Sequence, residues 1–188
     1  MSAVAEVLSA LREVFARRQV AWYLFGAQAV AVRGAPRATQ DIDVTADVSR
    51  AALPALLVDL ERRDIHHRYP AIADELVRSA AVLPLRHGPT GMEIDLVLAG
   101  SGLEALALQR ATMAAVDGVK VPVASATDLV VMKVLAGRGK DLEDLRALIA
   151  GGEVEVDEAR DLLSQLEEAL GQSDLLPALE SAIRGAKR

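Results

Sequence analysis

The sequence predicts a mixed α/β (α+β) protein: a mixed β-sheet flanked by helices, with a helical region at the C-terminal end. Three observations predict it. Short runs that alternate polar and apolar residues, such as Asp41-Ile42-Asp43-Val44-Thr45, are interspersed with helical-period stretches to about residue 124. Asp117-Gly118 separates two short apolar runs and is a strong hairpin signal. From Ser125 onward only the helical pattern remains. The expected organisation is therefore an α/β core over residues 1–124 and a helical region over 125–188 packed on it.

The elements follow in chain order. Val4, Val7, Leu8, Leu11, Val14 and Phe15 recur at helical spacing, with Glu6, Arg12, Glu13 and Arg17 on the other side, so the chain opens with an amphipathic helix. Residues 20–25 form an apolar and aromatic run ending at Gly26, the pattern of a buried strand. A short helix over 27–33 is broken by Gly34-Ala35-Pro36. A strand over 41–45 and a helix over 51–63 come next. Within 64–91 the pattern supports a helix near 71–78 and a strand near 81–86, closed by the turn residues Gly88-Pro89-Thr90-Gly91. A strand over 92–98, a helix over 103–109 and the hairpin 112–116/119–123 complete the core. Ser125 with Asp128 three residues on resembles a capping box for a helix to residue 136, and helices over 141–149, 157–170 and 175–183 follow.

Composition narrows the function classes. Over 188 residues, 52% are hydrophobic and only 3% aromatic, so the core is aliphatic. The net charge of −6 opposes a protein that coats nucleic acid through a general positive field, while leaving room for a localised nucleotide or RNA-end site. The absence of cysteine excludes disulfides and thiolate metal sites. The longest uncharged apolar stretch, 20–32, is too short to span a bilayer, and Glu6 and Glu13 before Arg17 and Arg18 are the wrong charge order for a secretory signal. A cytoplasmic protein is expected.

The chemistry concentrates in paired acids. On a strand, residues two apart share a face, so Asp41 and Asp43 point together while Ile42 and Val44 point into the core. Two such close carboxylates repel, and a cation between them relieves the repulsion; Mg²⁺ suits, because it takes one or two carboxylates plus substrate phosphate oxygens. Glu93 and Asp95 share a face in the same way, and pairing of the two strands would give a three-carboxylate cluster. The competing reading is an edge strand with solvated acids. Against it, Asp is disfavoured in strands yet occurs twice in one and again in another. Gly26 before a short helix offers N–H groups for phosphate, and Arg33 and Arg37 can add positive charge.

Gly26-Ala27-Gln28-Ala29-Val30 followed by Arg37-Ala38-Thr39-Gln40-Asp41-Ile42-Asp43-Val44 resembles the start of the nucleotidyltransferase superfamily related to DNA polymerase beta. It is especially similar to the AbiEii-type branch found in bacterial toxin–antitoxin and phage-abortive systems. Asp128-Leu129-Val130-Val131-Met132-Lys133 and the segment from Arg138 to Asp144 resemble that branch's downstream motifs. The resemblance implies a nucleotidyltransferase-like fold and transfer of a nucleoside monophosphate from an NTP to a hydroxyl acceptor, an RNA or tRNA end or a protein. It implies two Mg²⁺ ions, with Mn²⁺ as a substitute, held by Asp41, Asp43 and Asp95, the last also assisting deprotonation. It further implies nucleotide contacts from Gly26, Ala27, Arg37, Thr39, Lys133, Arg138 and Lys140, and a cognate antitoxin as a partner. Many members have a second Gly or a Ser where this chain has Ala27 and Gln28, which motivates a second expectation: a nucleotide-binding or protein-interaction module with little turnover.

Several residues carry two readings. Lys133 lies in a helix that is apolar almost all round, so it either meets negative charge in a salt bridge, snorkels out, or contacts the triphosphate. Arg138 and Lys140 reach the same anion or remain solvated loop charges. Asp141 and Asp144 at a helix start complement the macrodipole. His66, His67 and His87 lack standard metal-ligand spacing and are expected at the surface.

Overall fold

Period-two alternation divides β2 (Asp41–Ala46), with Ile42 and Val44 buried on one face and Asp41 exposed on the other. In the computed structural model, which describes residues 1–34, 39, 41–139 and 141–186, the same division runs across a seven-stranded mixed sheet. Its other strands are β1 (Trp22–Phe25), β3 (Ile65–His67), β4 (Val82–His87), β5 (Glu93–Leu98), β6 (Thr112–Val116) and β7 (Val119–Val123). The order is β3-β4-β5-β2-β1-β7-β6. Two pairings are parallel, β2 with β5 and β1 with β7; the others are antiparallel.

The chain divides into two units, Met1–Gln28 with Ala38–Ala124, and Ala29–Arg37 with Ser125–Arg188. The first holds the sheet. Trp22, Leu24, Ile42, Val44, Leu83, Leu85, Ile94 and Leu96 are buried along one face of its strands. Helix α1 (Ala3–Arg18) covers that face, with the Phe15 ring tilted against Trp22 at a centroid distance of 5.1 Å. Helix α2 (Gly26–Val32) follows β1 directly, so that Gly26 is at once the end of a strand and the start of a helix. Helix α3 (Leu53–Glu61) packs beside α1, and buried Asp59 joins them by accepting from Arg18 Nε at 2.7 Å, while Arg62 Nη1 donates to it at 2.8 Å. The Arg18 hydrogen bond is the main reason the Asp59 carboxyl is held below its ordinary value.

In the second unit α6 (Ala126–Ala136), α7 (Asp141–Ala150), α8 (Val156–Leu170) and α9 (Leu175–Ala186) pack on one another around Leu129, Leu145, Leu148, Leu163 and Leu179. Ser125 caps α6, its Oγ accepting from the Asp128 N–H at 3.0 Å. The Asp128 carboxylate takes the Ser125 hydroxyl at 2.6 Å. The full reciprocal box instead opens α5 (Gly102–Arg110), where Ser101 and Glu104 satisfy each other's backbone N–H groups.

Three local expectations need correction. The strand β3 was not foreseen: three residues are too few to show alternation. The helix expected from residue 71 begins instead as a 3-10 turn over Pro70–Ile72, and α4 spans Ala73–Ser79. His87 is not at the surface; it is 3% exposed, on the same face of β4 as Leu83 and Leu85, with Nδ1 2.9 Å from Thr90 Oγ1.

Candidate functional site

The site is assembled by register. Because β2 and β5 are parallel and in step, Asp43 stands opposite Asp95 and Asp41 opposite Glu93, putting four acidic residues on one face of two adjacent strands. The row through Asp41 continues outward as Glu93, Arg86 and His66 on successive strands. The row through Asp43 continues to Phe25 on β1, the residue before Gly26. Asp41 and Glu93 are exposed, Asp43 and Asp95 partly so. With Arg86, Thr90, Gly91 and Met92, Asp41 and Glu93 line an open cleft of 640 Å³.

Gly26 has a reason to be glycine. Its φ of +66° is left-handed, and a Cβ built on it would lie 1.8 Å from Asp43 Oδ2. The backbone at the β1–α2 junction therefore rests directly against the Asp43 carboxylate. The Thr39 hydroxyl donates to Asp41 Oδ1. Ala27 is buried, 6% exposed, and contributes bulk rather than a polar contact through its side chain. Arg37 and Lys140 lie outside the described residues.

The carboxylates do not form a ready-made cage. Among the described residues no three His, Asp or Glu side chains are arranged to hold a metal ion by themselves. Two of the acids are held instead by Arg68, which sequence reasoning missed. Its Nη1 donates to Glu93 Oε2 at 2.5 Å and its Nη2 to Asp95 Oδ1, and its own N–H is fixed to the Pro84 carbonyl at 2.9 Å. No spacing signal points to it, because its partners lie on another strand. The donor chemistry nevertheless fits a hard divalent cation: Asp41 lines the open cleft, Asp43 lies on the same face of β2, and Mg²⁺ takes one or two carboxylates and completes its shell from water and substrate phosphate.

Beside Arg68, a second cleft is lined by His66, His67, Tyr69, Arg86 and Glu93. Burial, which disfavours the charged ring, holds the His67 pKa below its ordinary value despite nearby Glu61 and Asp74.

Lys133 is buried in the second unit, and Nζ donates to Asp141 Oδ1 at 2.9 Å and Asp144 Oδ2 at 2.7 Å. The salt-bridge reading of this lysine is the geometry found. Asp141 and Asp144 are correspondingly more than helix-dipole residues: they are buried counter-ions. Arg138 also donates to Asp141, Nε to Oδ2 at 2.7 Å. Burial alone would raise the Asp141 pKa; hydrogen bonds from Arg138 and Lys133 outweigh it and hold the carboxyl below its ordinary value. Arg33 reaches Glu153, 3.8 Å away.

The sequence matches no family model and no curated protein. Solved structures do match. The chain is similar to the antibiotic-resistance factor ANT(2'')-Ia in solution, at 17% identity and a TM-score of 0.60, over 91% of this chain and 97% of that one. The crystal structure of ANT(2'')-Ia in complex with adenylyl-2''-tobramycin superposes with a TM-score of 0.63 at 14% identity, over 90% and 99% of the two chains. The fold is that of the nucleotidyltransferases. The likeness is one of fold and takes in most of the chain, 91% and 90% in the two cases. The AbiEii-type likeness rests on the sequence motifs alone. Among the described residues no helix is long and apolar enough to cross a membrane.

Proposed function

We propose that the chain is a metal-dependent nucleotidyltransferase that moves a nucleoside monophosphate from an NTP to a hydroxyl acceptor. The observation that carries this reading is the register of Asp43 with Asp95, beside Asp41 and beneath the Gly26 backbone, on a fold shared with a protein solved in complex with adenylyl-2''-tobramycin. Asp41 and Asp43 would hold Mg²⁺, or Mn²⁺ in its place, and the bound ions supply charge neutralisation for the triphosphate. The acceptor oxygen forms a bond to the α-phosphorus, the bond from that phosphorus to the pyrophosphate oxygen breaks, and the acceptor proton passes to Asp95. Gly26 and Ala27 N–H groups, Thr39, Arg37 and, through their positive charge, Arg138 and Lys140 are the proposed nucleotide contacts. Lys133, the remaining expected contact, donates to Asp141 and Asp144, as Arg138 does to Asp141.

A small cationic hydroxyl compound is the first acceptor to test. A net charge of −6 and four carboxylates on the site face attract such a molecule and repel RNA phosphates. The structural neighbour's adenylylated tobramycin supports the same class. An RNA end or protein hydroxyl, and with it a toxin role opposed by an antitoxin, is the finer reading that the AbiEii-type motifs favour. Growth arrest on expression, relieved by Asp41→Ala, supports that reading, and harmless overexpression counts against it.

The test of transfer itself is incubation with α-labelled ATP or another NTP, Mg²⁺ and either tobramycin, transfer RNA or bulk protein. Asp43→Ala is expected to abolish labelling while the protein stays folded by circular dichroism; undiminished labelling overturns the assignment. Ala27 and Gln28, where many members have a second Gly or a Ser, favour one alternative, a nucleotide-binding or protein-interaction module with little turnover. It is recognised by calorimetric NTP binding without pyrophosphate release.

A further inference from the structure

We propose that Arg68 is a positioning residue that serves as the resident counter-ion of the site, and that a divalent cation must displace it to recruit Asp95. The inference rests on the metal-dependent reading above. Four carboxylates share the face of two neighbouring strands, and in this arrangement repulsion between them needs a cation. Arg68 supplies one from within the chain. Its planar fork spans Glu93 and Asp95, a grip a lysine does not reproduce. The side chain is only 17% exposed. Its buried Nε has no hydrogen-bond partner among the described residues, so the guanidinium is placed by the two carboxylates rather than by its surroundings. Both acids that it grips, Glu93 and Asp95, belong to β5. The availability of Asp95 as the third carboxylate is therefore coupled to release of the guanidinium.

The experiment is Mn²⁺ binding to the full chain without nucleotide, followed by electron paramagnetic resonance. In Arg68→Gln the affinity is expected to rise on the order of tenfold, the effect of removing one charge a few ångströms from the ligands in a partly screened site. Arg68→Lys keeps the charge without the fork and is expected to fall between. In an Asp95→Asn background the Arg68→Gln gain should largely vanish. Unchanged or weaker Mn²⁺ binding in Arg68→Gln overturns the proposal, as does an equal gain in the Asp95→Asn background. Binding that is lost in Asp43→Asn but indifferent to Arg68 removes this proposal alone; absence of binding in every variant removes the metal-dependent reading with it. Should Arg68→Gln fold poorly, the wild-type and Arg68→Lys pair still decides the sign.

Discussion

One missing Cβ decides how near the backbone comes to Asp43. At Gly26 a methyl group would overlap the Asp43 carboxylate and force its side chain away, and the left-handed φ adds a cost of about 1–2 kcal/mol for any L side chain. Gly26→Ala is thus expected to lower the melting temperature by a few degrees and to reduce NTP-dependent labelling as severely as Asp43→Ala does. Calorimetry and the labelling assay read the two effects; a variant with full labelling would show that the Gly26–Asp43 approach is dispensable. At this scale the sequence was legible where the signal was local. Asp41 with Asp43, and Glu93 with Asp95, could each be put on one face of their own strand by counting in twos, and Gly26 by its place after an apolar strand; only the family resemblance joined Asp95 to the first pair. Arg68 could not, since its partners are brought to it by tertiary pairing. His87 was legible and overlooked: alternation along β4 already put it with Leu83 and Leu85.

At the scale of elements, α6 and α7 are joined by a charge cluster inside an otherwise apolar contact. Lys133→Met would leave Asp141 and Asp144 buried without their ammonium, which costs about 3–5 kcal/mol in comparable buried pairs, and urea unfolding is expected to show the loss. Acid tests the same cluster without mutation. The Asp141 carboxyl binds its proton less readily folded than unfolded, so the unfolded chain holds more protons at low pH. This contribution is complete above the ordinary aspartate range and is lost as the pH falls through the lower folded value. Unfolding midpoints measured from pH 6 downward should fall below about pH 4, and the fall should be shallower in Lys133→Met, where only the Arg138 part of the Asp141 pairing remains. The cost of burying Lys133 was evident from its helix. Which carboxylates met that cost was not, because the intervening turn decides how α7 returns against α6.

The whole molecule carries an excess of six negative charges, and this bears on the acceptor. Raising ionic strength from about 0.05 to 0.3 M shortens the screening length about 2.5-fold, enough to weaken long-range attraction. The KM for a cationic acceptor such as tobramycin is expected to rise several-fold over that range, whereas an RNA acceptor would show no such penalty for added salt beyond its own phosphate contacts. Steady-state kinetics in a salt series separates the two. Fold class, the positions of every strand but β3 and the helical C-terminal region were readable from period and turn chemistry, with Asp117-Gly118 fixing the β6–β7 hairpin. The strand order was not, because neither parallel pairing leaves a local trace.

Those parallel pairings also set a timetable. Asp43 meets Asp95, and Leu24 meets Val123, only after long stretches of chain have been brought back on themselves, which costs closure entropy before any pairing repays it. The central strands therefore wait for their distant neighbours. During synthesis the first acidic pair emerges well before the strand that carries Asp95, and for that interval the growing chain holds two carboxylates with neither their third companion nor the arginine grip that depends on it.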